Sequence, residues 1–246
     1  MKLKKLLITV LTLSLIFAFS VVGLAQTYTV GTSAGFPPFE YVEDGEIVGF
    51  DIDLMKAIGE EMGFEVEFED IAFDSLIPAL KTGNVDLVAA GMTITEQREQ
   101  AVDFSDSYYS ADQSIIVKEG SEKNISVLYG DNDISVQTGT TGDLWVTENL
   151  KDKGILTGNI KRYDTFVLCV SDLVNGNVDA VVLDNPVAQR YAEMRPVEIV
   201  GIIVTGENYG LAVNEGNTEL LEKLNEGLRR IKENGKMNEL IAKHFE

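Results

Sequence analysis

The chain has 246 residues, with 20 lysines and arginines against 40 aspartates and glutamates, and a formal net charge of −20. So acidic a protein repels phosphate backbones and anionic lipid surfaces, which excludes nucleic acid and acidic membranes as partners. The single cysteine, Cys169, excludes an intrachain disulfide.

The N-terminal segment, residues 1–25, has the pattern of a signal peptide. Three lysines precede an apolar run at 6–22, and small residues, Gly23 and Ala25, stand where a signal peptidase reads them. We therefore expect cleavage before Gln26, which makes the mature charge −23 (17 basic against 40 acidic residues). An uncleaved anchor is the alternative, because the run is only slightly short of the roughly 20 residues that span a bilayer. No cysteine follows the cleavage point to carry a lipid, so the mature chain is expected to diffuse freely in a periplasm.

Short apolar strands alternate with amphipathic helices along the first half of the chain. In order, we predict a strand at 27–32, a helix at 51–62 ended by Gly63, a strand at 64–68, a helix capped by Asp74 or Ser75 and ending near Gly83, a strand at 85–90, and a helix carrying Arg98. This alternation is typical of an α/β layered fold.

A second series of the same kind begins after residue 110. In order, we predict strands at 113–117 and 134–137, a helix from Thr140 or Thr141 to 150, a helix at 165–175, a strand at 178–183, a helix from Pro186, strands at 199–204 and 209–213, and helices at 218–234 and 236–245. Two such series in one chain of this length indicate one large or two small domains.

The stretch 89–109, AAGMTITEQREQAVDFSDSYY, concentrates groups that bind a carboxylate. A strand runs into Gly91-Met92-Thr93, and Arg98 follows early in the next helix. Backbone N–H groups, threonine hydroxyls and a guanidinium fork suit an anion. An arginine early in a helix is, taken alone, more often a solvated surface charge.

Asp184 directly follows a buried strand, and in an α/β sheet ligands bind at that end of the strands. Its alternative role is to cap the helix that starts near Pro186. The turn 139–142, Gly-Thr-Thr-Gly, presents further N–H groups at a helix start, although such turns also serve as ordinary caps.

Several segments, in this order along the chain, resemble the periplasmic solute-binding proteins of polar and basic amino-acid ABC importers, family 3. They are GFPPFEYVEDGEIVGFDIDLMKAIG, FDSLIPALKTGNVDLVAAGMTIT, VQTGTTGD, VDAVVLDNPVA and NYGLAV. The resemblance implies the type II periplasmic-binding-protein fold, in which two α/β lobes are joined by two crossover strands. Lobe 1 would comprise 27–107 plus 210–246, lobe 2 would comprise 113–204, and the hinge would lie at 108–112 and 205–209.

The resemblance also implies a binding site. Arg98 would hold the ligand carboxylate, Asp184 its α-ammonium, and Phe36 and Phe73 would sandwich its side chain. The full set of implied ligand contacts is Phe36, Phe73, Gly91, Met92, Thr93, Arg98, Gln137, Thr138, Thr140, Thr141 and Asp184, with Ser33 and Glu40 as determinants of side-chain specificity. No catalytic residue, metal or cofactor is implied.

The implied function is an amino-acid receptor that closes around one free L-amino acid and docks, as a monomer, on the membrane permease of an ABC importer. We expect a basic ligand, arginine first and lysine next. Ser33 suits a neutral amide about as well, so glutamine or another polar amino acid stays open. A different class also exists on this fold, dehydratases of cyclohexadienyl acids, but His244, the only histidine, lies far in sequence from the site motifs.

Overall fold

Strand β1 (Gln26–Thr32) begins the part of the chain that the computed structural model describes, residues 26–246. The predicted signal peptide lies outside the described residues. Within 26–246, no helix is both long and apolar enough to cross a bilayer.

The first lobe is built on a five-stranded sheet. In spatial order its strands are β4 (Phe64–Asp70), β1, β5 (Leu87–Val88), β12 (Ala212–Asn214) and β6 (Val102–Phe104). β1 runs parallel to β4 and β5, whereas β12 returns from late in the chain and pairs antiparallel with β5 and β6. A small hairpin, β2 (Tyr41–Glu43) and β3 (Glu46–Val48), precedes the first helix.

The second lobe is built on another five-stranded sheet. In spatial order its strands are β11 (Val197–Tyr209), β7 (Tyr109–Lys118), β10 (Ala180–Asp184), β8 (Ile134–Gln137) and β9 (Ile160–Tyr163). β10, β8 and β9 are mutually parallel, and β7 is antiparallel to both β10 and β11. β10 is buried along its whole length, which agrees with its uninterrupted apolar sequence before Asp184.

Helices pack on both sheets. They are α1 (Phe50–Met62), α2 (Leu76–Thr82), α3 (Glu96–Glu99), α4 (Thr141–Val146), α5 (Phe166–Asn175), α6 (Asn185–Met194), α7 (Thr218–Glu233) and α8 (Lys236–Phe245). Left-handed glycines end α1, α2 and α5 at Gly63, Gly83 and Gly176, as the sequence predicts.

Two antiparallel strands carry the chain between the lobes. β7 and β11 pair from Tyr109↔Tyr209 into the second sheet, with a register shift between Ile203 and Glu207. Both predicted crossover segments, 108–112 and 205–209, fall largely within this pair. A site between the lobes therefore has these two strands at its back.

Some predicted elements differ from the structure. Ser75 stands at the N-cap of α2, but its side chain makes no capping hydrogen bond, and a 3₁₀ turn at Phe73–Ser75 precedes the helix. The helix that carries Arg98 is a single turn. The strand predicted at 85–90 pairs only at Leu87–Val88, although Val85, Ala89 and Ala90 are also buried.

Two further predicted element boundaries differ from the structure because local backbone geometry, not the hydrophobic pattern, sets them. The helix predicted to reach residue 150 ends at Val146 and continues as a π-helical turn, Thr147–Lys151. The strand predicted at 199–204 continues to Tyr209 as one element, because a bulge absorbs the polar residues that look like a break in the sequence.

Candidate functional site

A small cavity lies between the two lobes. Its lining is Ser33, Phe36, Glu40, Phe73, Ala90, Gly91, Thr93 and Arg98 from the first lobe, and Gln137, Thr140, Thr141 and Asp184 from the second. Every site residue implied by the sequence is therefore in the lining except Met92 and Thr138. The cavity gathers residues more than 100 positions apart in the sequence.

Arg98 is the cation of the cavity, and its side chain is buried rather than solvated (9% exposed). Its Nη1 donates to the Thr93 carbonyl at 2.7 Å, and its Nη2 donates to the Gly139 carbonyl of the other lobe at 3.2 Å. The guanidinium lies 5.2 Å from the centre of the Phe73 ring. These contacts fix the plane of the fork and leave further N–H donors for an anion.

Asp184 ends β10 and points into the cavity. Its carboxylate makes no capping bond to α6, so the alternative predicted role is not the one it adopts. Oδ1 accepts hydrogen bonds from the Tyr209 hydroxyl at 2.7 Å and from Gln113 Nε2 at 3.0 Å. Burial, and next the charge of Glu207, raise the pKa of Asp184 to about 7, although both hydrogen bonds act in the opposite direction.

Glu207 is a buried carboxylate that sequence reasoning missed. Oε2 accepts from the hydroxyls of Thr93 at 2.7 Å and Thr141 at 2.6 Å, which belong to different lobes. Oε1 accepts from Gln113 Nε2 and from the Thr205 hydroxyl, each at 3.0 Å. One side chain on the second crossover strand thus joins both lobes at the edge of the cavity.

Glu40 is fully buried and also lines the cavity. Neither of its carboxylate oxygens has a hydrogen-bond partner among the described residues. Burial, and then the charges of Asp51, Asp184 and Asp70, raise the pKa of Glu40 well above its ordinary value. A buried acid without a donor is costly to ionise, so this end of the cavity favours a ligand group that donates hydrogen bonds and carries positive charge.

Asp51 is another buried acid, and its charge acts on Glu40. Its Oδ2 accepts from the Gly91 N–H at 2.8 Å and the Tyr108 hydroxyl at 2.7 Å. Burial raises the pKa of Asp51 to about 6, with the Tyr108 and Gly91 hydrogen bonds acting in the opposite direction. The acid thereby holds the Gly91 backbone in place.

Only glycine fits at position 91. Its φ is +52°, and a Cβ there would stand 2.5 Å from Phe36 Cε1. The Phe36 ring stacks nearly parallel to Phe39 and to Phe166 of the other lobe, with centroids 5.5 and 5.7 Å apart. Aromatic packing therefore closes one wall of the cavity.

Two of the implied contacts lie elsewhere. The Met92 side chain alternates away from its neighbours Gly91 and Thr93 and is buried in the first lobe's core. Thr138 donates its hydroxyl to the Tyr163 carbonyl and so belongs to the β8–β9 edge. Outside the cavity too, His244 Nε2 lies 2.7 Å from Asp53 Oδ2.

The site includes polar residues for which the sequence carried little signal. Gln113 interrupts an apolar strand, which could have marked it, and Tyr209 stands in the matched segment NYGLAV. Glu207 follows the bulge of β11, and strand alternation alone does not predict where it points. Among residues 26–246, no group of three or more acidic, histidine or cysteine side chains could hold a metal ion.

Comparisons with a family model, with known sequences and with solved structures all point to the same family. Residues 28–246 match the model of the bacterial extracellular solute-binding proteins, family 3. The ABC transporter arginine-binding protein 1 of Escherichia coli (strain K12) is 35% identical over 249 residues, covering 98% of this chain and 99% of that protein. The structure of an ancestral arginine-binding protein bound to arginine superposes with a TM-score of 0.85 at 44% identity, covering 91% of this chain and 100% of that one.

An ancestral arginine-binding protein bound to glutamine also superposes, with a TM-score of 0.83 at 44% identity and with 90% and 99% of the two chains covered. These matches confirm the two-lobed type II fold that the sequence motifs implied. This chain belongs to the bacterial extracellular solute-binding proteins, family 3.

Proposed function

We propose that this protein is the periplasmic receptor of an ABC importer and that it closes around one free L-amino acid with a cationic side chain. One observation carries the proposal: the cavity is lined by one cation, Arg98, and two buried acids, Asp184 and Glu40. A basic amino acid presents the complementary set, a carboxylate, an α-ammonium and a distal cation. The charge of Asp184 acts on the pKa of both Arg98 and Glu40, so these three groups lie near one another.

The backbone end of the ligand would be held by both lobes. Arg98 would take the carboxylate with its free N–H groups, helped by backbone N–H groups of Thr93 and Thr141. The turn that contains Thr140 and begins α4 would add donors to the same anion. Asp184 would pair with the α-ammonium.

The side chain of the ligand would be bound by the first lobe. Glu40 would accept hydrogen bonds from a guanidinium or ammonium, which supplies the donors that its oxygens lack. Phe36 and Phe73 would contribute apolar and cation–π contact to the ligand side chain. Ser33, which accepts from Gln137 Nε2 of the other lobe at 3.3 Å, would set the depth of the cavity.

Closure follows from this division of contacts. We assign the lobes to 27–107 plus 210–246 and to 113–204, with the hinge at 108–112 and 205–209. Because each lobe supplies part of the ligand's partners, the ligand stabilises the closed form over the open one. The closed form is then what the permease receives, as a complex with a single copy of this protein.

Displacement of labelled L-arginine at physiological salt tests the ligand class. We expect unlabelled arginine to displace it best, then lysine, then glutamine, with glutamate inactive. The variant Glu40→Gln should weaken arginine about 10- to 100-fold while changing glutamine less, since a charged hydrogen bond is lost only with the cation. The exposed Glu43→Gln on the neighbouring hairpin is the matched control. Glutamine displacing arginine at equal or lower concentration would contradict the preference.

Glutamine is the second candidate ligand. The superposing ancestral protein has a glutamine complex, and the Ser33–Gln137 pair offers a hydroxyl and an amide to a ligand amide. The same displacement experiment decides between the two, since the glutamine hypothesis predicts the reverse order.

An enzyme of the cyclohexadienyl dehydratase type is the alternative of another class, and it would use Asp184, whose pKa of about 7 suits an acid–base catalyst. We propose that the protein has no such activity. Purified protein should show a melting temperature that rises with L-arginine concentration and no product from prephenate or arogenate. Product formed at a rate proportional to protein concentration would contradict the receptor hypothesis and support the enzyme hypothesis.

A further inference from the structure

Glu207 points into the site because the strand that carries it is bulged. Between Ile203 and Glu207 the register of β11 against β7 shifts, and pairing resumes at Glu207↔Ala111. Asp112 Oδ1 accepts the N–H groups of Thr205 and Gly206, each at 2.9 Å, and Gly206 has a φ of +64°. Such a bulge redirects the next side chain, here toward the cavity.

The hydrogen bonds of Glu207 use all of its acceptor capacity. Each carboxylate oxygen takes two donors, the Thr93 and Thr141 hydroxyls on Oε2, and the Gln113 amide and Thr205 hydroxyl on Oε1. With four donors on it, the Glu207 carboxyl group has no acceptor site left for a ligand. Glu207 is only 8% exposed, and its Oε1 shares the donor Gln113 Nε2 with Asp184 Oδ1.

This arrangement determines what the two threonines can offer a ligand. A hydroxyl has one proton, and the protons of both Thr93 and Thr141 are donated to Glu207. Their oxygens can then only accept hydrogen bonds. The Gln113 Nε2 is likewise committed, because it donates to Asp184 and Glu207, while its Oε1 accepts no hydrogen bond from the described residues.

We propose that Glu207 is a positioning residue that makes the end of the site around Asp184 an environment of acceptors, so that the cavity selects an α-amino acid over the α-hydroxy acid of the same shape. This inference rests on the proposed function. An ammonium donates to each acceptor it meets, whereas a hydroxyl has one proton for several acceptors and leaves the others unpaired. Glu207 acts through Thr93 and Thr141 rather than by contact with the ligand.

The test compares two probes, L-arginine and its α-hydroxy analogue, 2-hydroxy-5-guanidinopentanoic acid, by calorimetry. Wild-type protein should bind arginine more tightly, and Glu207→Gln should reduce the ratio of the two affinities at least tenfold. The amide of the variant is neutral, and it donates a hydrogen bond that frees a threonine proton for the hydroxy analogue. Exposed Glu215→Gln makes the same change of charge and should leave the ratio unchanged.

Thr141→Val gives an independent variant should Glu207→Gln fail to fold. It removes one acceptor and should also lower the ratio, with a smaller effect. Equal weakening of both probes in these variants would show a merely structural role and overturn the inference. Wild-type protein that binds neither probe would overturn the proposed function itself, and this inference with it.

Discussion

At the scale of single residues, the cavity brings together buried charges from both lobes, Arg98 and Glu40 from the first and Asp184 from the second. Arg98 and Asp184 could be predicted because each follows an apolar strand at the edge where ligands bind. Glu207 could not, because a bulge decides its direction. The Met92 side chain lies outside the lining because adjacent residues in extended backbone point to opposite sides.

The raised pKa of Asp184 predicts proton release on binding. Near pH 7 its carboxyl is partly protonated in the ligand-free protein, and pairing with an ammonium favours the ionised form. Affinity for L-arginine should therefore fall as pH is lowered from 8 to 6, and binding at pH 7 should release protons. Calorimetry in phosphate and in Tris, two buffers that differ in ionisation enthalpy, measures the number of protons released per ligand bound. Identical heats in the two buffers would contradict the assignment.

At the scale of elements, α6 and the loop before β2 form a direct contact between the lobes. The Tyr191 hydroxyl of α6 donates to the Gly35 carbonyl at 2.9 Å in a buried position. Next to it Phe36 stacks on Phe166 of α5. The helices themselves were predictable from periodicity and capping residues, but which of their residues meet the other lobe depends on the hinge between them.

Removing the hydrogen bond between Tyr191 and Gly35 should weaken ligand binding, although neither group contacts the ligand. Tyr191→Phe deletes one hydrogen bond of the closed form and leaves the Gly35 carbonyl buried without a partner, so the dissociation constant for L-arginine should rise about 2- to 10-fold. Exposed Tyr129→Phe in the same lobe is the matched control. Calorimetry measures both, and an affinity in Tyr191→Phe equal to wild type would show that the contact does not favour closure.

At the scale of the whole molecule, two sheets are joined by one antiparallel strand pair, and the cavity lies between their lobes. The alternation of strands and helices predicts the layers, whereas the place of the connection was implied by the resemblance to the family. The extension of the strand predicted at 199–204 as far as Tyr209 was not predictable, because its bulge is held by Asp112 from the paired strand β7. Long-range pairing of this kind leaves little local sequence signal.

The central claim is that the cavity binds an amino acid through Arg98, and titration of L-arginine into Arg98→Ala measures it most directly. A buried carboxylate without its charged partner costs about 3–5 kcal/mol, against about 8 kcal/mol for a whole micromolar ligand. Arg190→Ala, which removes an exposed arginine paired with Glu193, is the control. We predict that Arg98→Ala keeps its fold by circular dichroism and shows no measurable binding, while the control binds as wild type. An affinity of Arg98→Ala within threefold of wild type would contradict the account.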